Sequence, residues 1–587
     1  MAEVREGFWR KHRWAKWVAG GLLLALATAA VFVDLGLRQA EPYLRARIVE
    51  GLENRFRARV ELDSFHLSLV DGLWAEGKGL RIWPLASSST GEPLIRLATF
   101  RFHAPLTYRP GDPIHVSVVE LKGLRIDLPP RSHFEHGAAV DVGGSESVGR
   151  RRDAMAGLVR FDVETMECTD AELVMETSKP GKLPLDFAIA HLKLTGISSG
   201  GAIRPQGDNR PSGIPAIGFD AELTNPRPVG TIHTTGSFGP IDGADLGESP
   251  LDGNYRFEHA DLASFKGLAG ILSSTGHYAS TLRDITVDGQ TETPDFRLTH
   301  FGNAMPLHTH FHARVDGTNG DTWLEPVDAT LGRSHFTAQG QVVRVFASNA
   351  GGLPRSLGHD IALTVIVNKT RIDDFLRLAS HSATPLLTGE VTAKTKLHIV
   401  PGPAPVHERL QLAGNFVLDD ARFTSAKIQG RIAQLSLRGQ GRPGEVKTTD
   451  PTSIRSKMQS SFQMAGGVIT LQGLEYTVPG ATIELNGTYG LDGGAMNFEG
   501  TAKMEASVSK MVGGWKGLLL TPADRFFKKD GAGAEVPIHI EGTRDEPRFG
   551  IDFDRMRKPS RLRDQGQTGS PPPQDAHQTG QPTAQQQ

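Results

Sequence analysis

Residues 468–491, VITLQGLEYTVPGATIELNGTYGL, decide the fold class. Ile469 and Leu471 alternate with Thr470 and Gln472, and Ile483 and Leu485 alternate with Thr482, Glu484 and Asn486. Successive side chains of an extended chain point to opposite faces. A period of two therefore gathers the apolar residues on one side and the polar ones on the other. The stretch reads as two strands, each with one apolar face.

The same alternation recurs upstream. It is present in FHLSLV (65–70), where Phe65, Leu67 and Leu69 share a face, and in IRLATFRFHA (95–104) and HVSVVELKGLRIDL (115–128). It returns in LPLDFAIAHLKLTGI (183–197), DIALTVIVN (360–368), GEVTAKTKLHIV (389–400) and LQLAGNFVL (410–418). Asp71-Gly72, Asp252-Gly253, Asp288-Gly289, Asn319-Gly320, Asn486-Gly487 and Asp492-Gly493 are turn signals between strands. Three segments carry a helical period instead: 261–274, with Asp261 as N-cap, 371–380, and 505–530, broken by Gly513-Gly514 and Pro522. Composition agrees with a β-rich chain. Among 587 residues there are 67 Gly and 36 Pro, about one residue in six, which favours turns and short strands.

Lys plus Arg number 64 and Asp plus Glu 66, so no global positive field recruits nucleic acid. The one cysteine, Cys168, excludes an internal disulfide and a multi-cysteine zinc site, and reads as a small buried apolar residue.

The N-terminus is an export signal. Residues 9–16, WRKHRWAK, are basic, and 17–33, WVAGGLLLALATAAVFV, carry no charge. Seventeen uncharged residues lie at the short end of what spans a bilayer. Arg10, Lys11, Arg13 and Lys16 favour a cytoplasmic N-terminus, and Trp14 and Trp17 stand where an interfacial aromatic belt would lie. A cleaved signal peptide ending at Ala27-Thr28-Ala29 is the alternative; the apolar run continues for four residues past Ala29, which favours an anchor. Residues 36–58 then form an amphipathic helix, with Tyr43, Leu44, Ile48, Leu52 and Phe56 on one face. Such a helix can rest on anionic lipid or cap the first sheet.

Motifs that carry chemistry are weak. GLWAEGKG (72–79) matches seven positions of a phosphate-binding loop, but Gly79 stands where Ser or Thr should bind Mg²⁺ and no helix follows. His308, His310 and His312 share one strand face that zinc could use, yet Leu307, Phe311 and Val315 occupy the other, so the histidine face reads as the solvated side. Asp316–Asp321, DGTNGD, lacks calcium-loop spacing and reads as an Asn-Gly turn. No catalytic, cofactor or metal residue is expected. In 505–530, Trp515, Phe526 and Phe527 are candidate membrane contacts, or else a helix plugging the last strands' core.

An apolar anchor, an amphipathic helix, and then Val60, Leu62, Ser64, Phe65, Leu67, Ser68, Leu69, Gly72 and Leu73 open the chain as AsmA-like sequences open. Residues 412–425, 468–491 and 536–553 resemble that family's C-terminal region, and 223–240 and 315–331 resemble the same kind of envelope protein. The resemblance covers most of 17–553 and rests on strand-and-turn patterns. It implies a bacterial inner-membrane protein with its bulk in the periplasm. Its body would be a long β groove, apolar inside and polar outside, that handles phospholipid. About 25 strands at ~4.8 Å would reach roughly 120 Å.

The expected fold is thus mainly β: an N-terminal transmembrane helix followed by an elongated, twisted antiparallel β-sheet groove with a few amphipathic helices. The expected segments are a basic cytoplasmic stretch (1–16), the anchor (17–35), the amphipathic helix (36–58), an N-terminal β module (59–128) and a linker (129–157). A central β groove (158–400), a C-terminal AsmA-like region (401–553) and a tail (554–587) follow. Candidate groove residues are Phe65, Leu67, Leu69, Ile469, Leu471, Ile483 and Leu485. Expected partners are membrane phospholipid and envelope proteins, with no nucleic acid and no cofactor. The rival readings are an assembly module for outer-membrane proteins and an exported hydrolase with a dispersed site.

Overall fold

The computed structural model describes residues 41–46, 48–53, 58–69, 73–84, 92–104, 113–128, 160–175, 185–198, 216–240, 246–347, 355–512 and 533–551. The expected anchor 17–35, linker 129–157 and tail 554–587 lie outside these residues. So do Trp14, Trp17, Trp515, Phe526 and Phe527. Among the described residues no helix is long and apolar enough to cross a membrane.

The first strands are β1 (Ala58–Ser68), β2 (Leu73–Pro84), β3 (Ile95–Ala104), β4 (Pro113–Leu128), β5 (Arg160–Met175), β6 (Leu185–Ser198), β7 (Ile217–Pro226) and β8 (Val229–Phe238). Next come β9 (Leu251–Asp261), β10 (Leu268–Ala269), β11 (Ile271–Thr281), β12 (Asp284–Leu298), β13 (Met305–Val315), β14 (Thr322–Leu331), β15 (Ser334–Ala347) and β16 (Arg355–Arg371). The last are β17 (Leu387–Ile399), β18 (Leu410–Phe423), β19 (Lys457–Ala465), β20 (Val468–Val478), β21 (Ala481–Gly490), β22 (Ala495–Met504), β23 (Ala534–Thr543) and β24 (Pro547–Ile551). Twenty-three of them form one sheet curled into a half-barrel; β10 pairs only with β12, outside that sheet. Within the sheet each strand pairs with the next, β9 with β11 past the short β10, and all steps are antiparallel except β4–β5, which is parallel. That step departs from the expected all-antiparallel sheet. A parallel neighbour requires the chain to travel back along the strand before re-entering.

Several expected boundaries move. Residues 261–274 are not a helix. Asp261 caps only the short turn Leu262–Ser264, accepting from the Ala263 N–H at 2.9 Å, and β10 and β11 follow. Gly267 and Gly270, at φ +97° and +133°, end any helix there. The helix at 371–380 forms as Ile372–Leu378. Of 505–530, Val508–Val512 is helical and 513–532 lies outside the described residues. Asp252-Gly253, Asp288-Gly289 and Asn486-Gly487 are not turns but strand interior in β9, β12 and β21. Asn319-Gly320 and Asp492-Gly493 do sit in turns. GLWAEGKG does not lie between strands either: Leu73–Gly79 is the first half of β2.

The backbone at 41–46 and 48–53 is helical and covers the free edge of β1. Leu44, Ile48, Val49 and Leu52 pack on the N-terminal core, while Tyr43 is exposed. Glu41 Oε1 accepts from the Leu67 N–H at 2.9 Å, and Arg45 Nε donates to the Leu62 carbonyl at 3.1 Å. Side chains thus satisfy backbone groups that an open edge would leave to water or to another chain.

Strict alternation breaks along one line through the N-terminal strands. Gly79, Gly123 and Asp170 have φ of +69°, +66° and +57°. A Cβ on Gly79 would meet the Asp63 side chain, and one on Gly123 would meet Ala98. A left-handed residue interrupts the two-residue repeat. The buried positions accordingly run Leu62 then Phe65 in β1, and Leu97 then Phe100 in β3.

Candidate functional site

The site is one face of the curled sheet, and the pairing register builds it. Directly paired residues of neighbouring strands point to the same side. Starting at Leu67 of β1, the partners run Ala75, Phe102, Val119, Met166, Leu194 and Phe219, one per strand to β7. They continue through Gly236, Gly253, Tyr278, Val287, Ala313, Leu324 and Gly340 to β15. Leu363, Leu397, Leu412, Met464, Ile469, Tyr489, Met496, Gly542 and Pro547 complete the row to β24. One residue from each strand of the sheet thus forms an unbroken lateral line with no charged member. None of them is exposed, and most are half-buried. At ~4.8 Å per strand the line has a contour of roughly 110 Å.

A second line lies two residues further along each strand. It runs Phe65, Gly77, Phe100, Leu121, Cys168, Leu192, Ala221, Thr234, Tyr255, Gly276, Gly289 and Phe311 from β1 to β13. Bulges interrupt it between β13 and β15, and it resumes at Ala338. Burial pushes the Cys168 thiol above its ordinary pKa, so this residue behaves as an apolar filler.

Glycines set how the face curves. Phe100 lies over Gly77, Tyr278 over Gly253, Tyr255 over Gly276, Phe311 over Gly289 and Phe498 over Gly487; in each pair a Cβ on the glycine would come within 3.0 Å of the ring or its hydroxyl. Aromatic rings on cross-strand glycines fill the space that a missing side chain leaves and permit tight bending. The two tyrosine hydroxyls are satisfied, Tyr278 with Thr234 at 2.6 Å and Tyr255 with Ser274 at 3.0 Å. Burial raises the pKa of both phenols, so they stay neutral. The middle of the face therefore offers no free polar group from these side chains.

The other face is charged. Arg314 donates to both Asp284 carboxylate oxygens at 2.9 and 2.8 Å, Lys503 pairs with Glu484 at 2.6 Å, and His398 with Asp360 at 2.6 Å. His308, His310 and His312 lie on this face, as the alternation requires. His308 and His310 are exposed, and His312 Nδ1 lies 2.6 Å from Asp288 Oδ1. They do not converge on a common point. In the Asp316–Asp321 turn, Asp316 accepts from the Thr318 N–H at 3.0 Å and the Asn319 amide at 2.6 Å, so the turn consumes the carboxylate that calcium would need.

The candidate groove residues fall in four places. Leu67 and Ile469 are in the first line, and Phe65 in the second. Leu471, opposite Phe462 and Gly487, continues the second line. Ile483 and Leu485 share the face but belong to the C-terminal core, beneath the helix Ala426–Gly439. Leu69 lies past the end of β1 and is 39% exposed.

The helix Ala426–Gly439 is absent from the sequence expectation. Ile432, Ala433 and Leu437 are buried, and Ile432 and Ala433 join the cluster formed by Leu418, Val478 and Ala481. Ile428, Ile432 and Leu435 carry a helical spacing that could have located it. This helix covers part of the C-terminal face, the plugging role considered for 505–530. The first-line residues Tyr489 and Met496 pack against the same cluster.

Comparison with family models found no match, and neither curated proteins nor solved structures gave one.

Proposed function

We propose that this chain holds acyl chains of phospholipid along the apolar face of its sheet, as a lipid-handling protein of a bacterial envelope. The unbroken line from Leu67 to Pro547 carries the reading. An ordinary globular sheet buries its apolar face under a second layer. Here one curled sheet presents a half-buried apolar strip along its full width. Each CH₂ moved from water to such a strip gains about 0.8 kcal/mol, and a row of similar weak contacts lets a chain slide without chemistry. A charged outer face keeps the body in water while the strip holds its guest. The N-terminal apolar segment, read as an anchor, would supply the membrane from which lipid enters.

The full-length protein, purified in a mild detergent and exchanged into lipid-free buffer, should retain phospholipid detectable by mass spectrometry and should bind a fluorescent fatty acid. Absence of both would sink the proposal.

A second reading, an assembly module that accepts a partner strand, has one observation in its favour. The edge strand β24 leaves Phe549 and Ile551 nearly half exposed. Crosslinking from β24 that captures a protein, from preparations without bound lipid, would favour it.

A further inference from the structure

Strand twist brings opposite rims of the sheet together. The β12–β13 turn carries His300, and the β21–β22 turn, nine steps along the sheet, carries Asp492. At roughly 20° per step the strand direction turns through about half a circle over that distance, so the upper rim of one region meets the lower rim of the other. At the meeting point His300 Nε2 lies 2.6 Å and His381 Nε2 3.5 Å from Asp492 Oδ1. The three donor atoms lie within 4.8 Å of one another.

We infer that His300, His381 and Asp492 form a binding site for a divalent transition-metal ion of the zinc class, which staples the two rims. Two imidazole nitrogens and one carboxylate oxygen are ligands that suit zinc, whereas calcium and magnesium prefer all-oxygen sets. Three protein ligands leave a fourth position open to water.

The surroundings brace this cluster. The His300 ring stacks on His407, with centroids 4.1 Å apart and planes 16° from parallel, and meets Phe301 edge-on. His407 Nδ1 is buried without a hydrogen-bond partner among the described residues. Asn303 donates to the Arg377 carbonyl at 2.9 Å and to the Ser382 carbonyl at 3.2 Å, holding the segment that carries His381. Arg544, from the β23–β24 turn, donates to Ser380 Oγ at 3.2 Å and through its N–H to the Gly494 carbonyl at 2.9 Å. Asp492 is 74% exposed, so its side chain can shift by the fraction of an ångström that equalises the metal–ligand distances.

The test is titration of the metal-stripped full-length protein with Zn²⁺ by calorimetry, with Co²⁺ as a spectroscopic substitute. One equivalent should bind and raise the midpoint of thermal unfolding. His381→Ala and Asp492→Asn, both at exposed positions, should keep the wild-type midpoint without metal, lose at least about tenfold in affinity, and lose the Zn²⁺-dependent rise. Co²⁺ should give the visible bands of a four-coordinate site in the wild type alone. Failure of the wild type to take up Zn²⁺, or wild-type affinity in both variants, would overturn the assignment. Neither result bears on acyl-chain binding, which is read separately.

Discussion

The Tyr278 ring crosses Gly253, its partner on the neighbouring strand, so closely that a Cβ there would stand 2.5 Å from the phenol oxygen. The Thr235 carbonyl would be 2.6 Å away on the other side. A methyl group cannot be accommodated without moving backbone. Gly253→Ala should therefore destabilise the fold by about 1–3 kcal/mol, the usual cost of overpacking. Thermal unfolding followed by circular dichroism checks it; an unchanged midpoint would show that the ring does not sit on the glycine.

Leu397 lies in the middle of the first apolar line, between Leu363 and Leu412. Leu397→Arg should leave the β-sheet signal intact, because the residue is only half-buried. It should weaken binding of a fluorescent fatty acid at least about tenfold, equivalent to ~1.4 kcal/mol. The same substitution at an outward residue such as Lys396 should leave binding unchanged.

Leu418 is 1% exposed within the core closed by the helix Ala426–Gly439. Leu418→Ala removes three methyl-sized groups from that core. A loss of about 2–5 kcal/mol is expected from denaturant unfolding.

Glu41 protects the edge of β1 by accepting the Leu67 N–H. Glu41→Ala should cost about 1–2 kcal/mol for the unsatisfied donor. It should also make the protein associate at rising concentration, because a free edge invites another strand. Light scattering against concentration is the measurement.

His312 is held above its ordinary pKa, first by its hydrogen bond to Asp288. A raised folded-state pKa means the charged pair contributes at pH below the unfolded value near 6.5, and the contribution fades as pH climbs through the folded value. The pair is substantially exposed, so the effect on stability is small. Nuclear magnetic resonance titration of the imidazole should give a lower pKa in Asp288→Asn than in the wild type.

Most strands were legible in the sequence, because period-two alternation reports directly which side chains share a face. IRLATFRFHA is β3 to the residue, and VITLQGLEYTV is β20. Glycine dipeptides misled in three places. Asp252-Gly253, Asp288-Gly289 and Asn486-Gly487 have the composition of turns, but their glycines lie beneath rings on neighbouring strands. A local signal cannot tell a glycine that turns the chain from one that makes room for a partner. The stretch 261–274 failed for a related reason: its helical spacing was overridden by pairing of β11 with β9 and β12.

The sequence by itself determined that this chain is a succession of one-sided strands, since alternation and turn chemistry are properties of a few consecutive residues. Tertiary structure alone decided that the strands join edge to edge in one sheet, that their apolar sides align from Leu67 to Pro547, and that His300, His381 and Asp492 meet. Those outcomes depend on register and accumulated twist. Both are set by long-range hydrogen bonding between strands, and neither leaves a mark in any short window of residues.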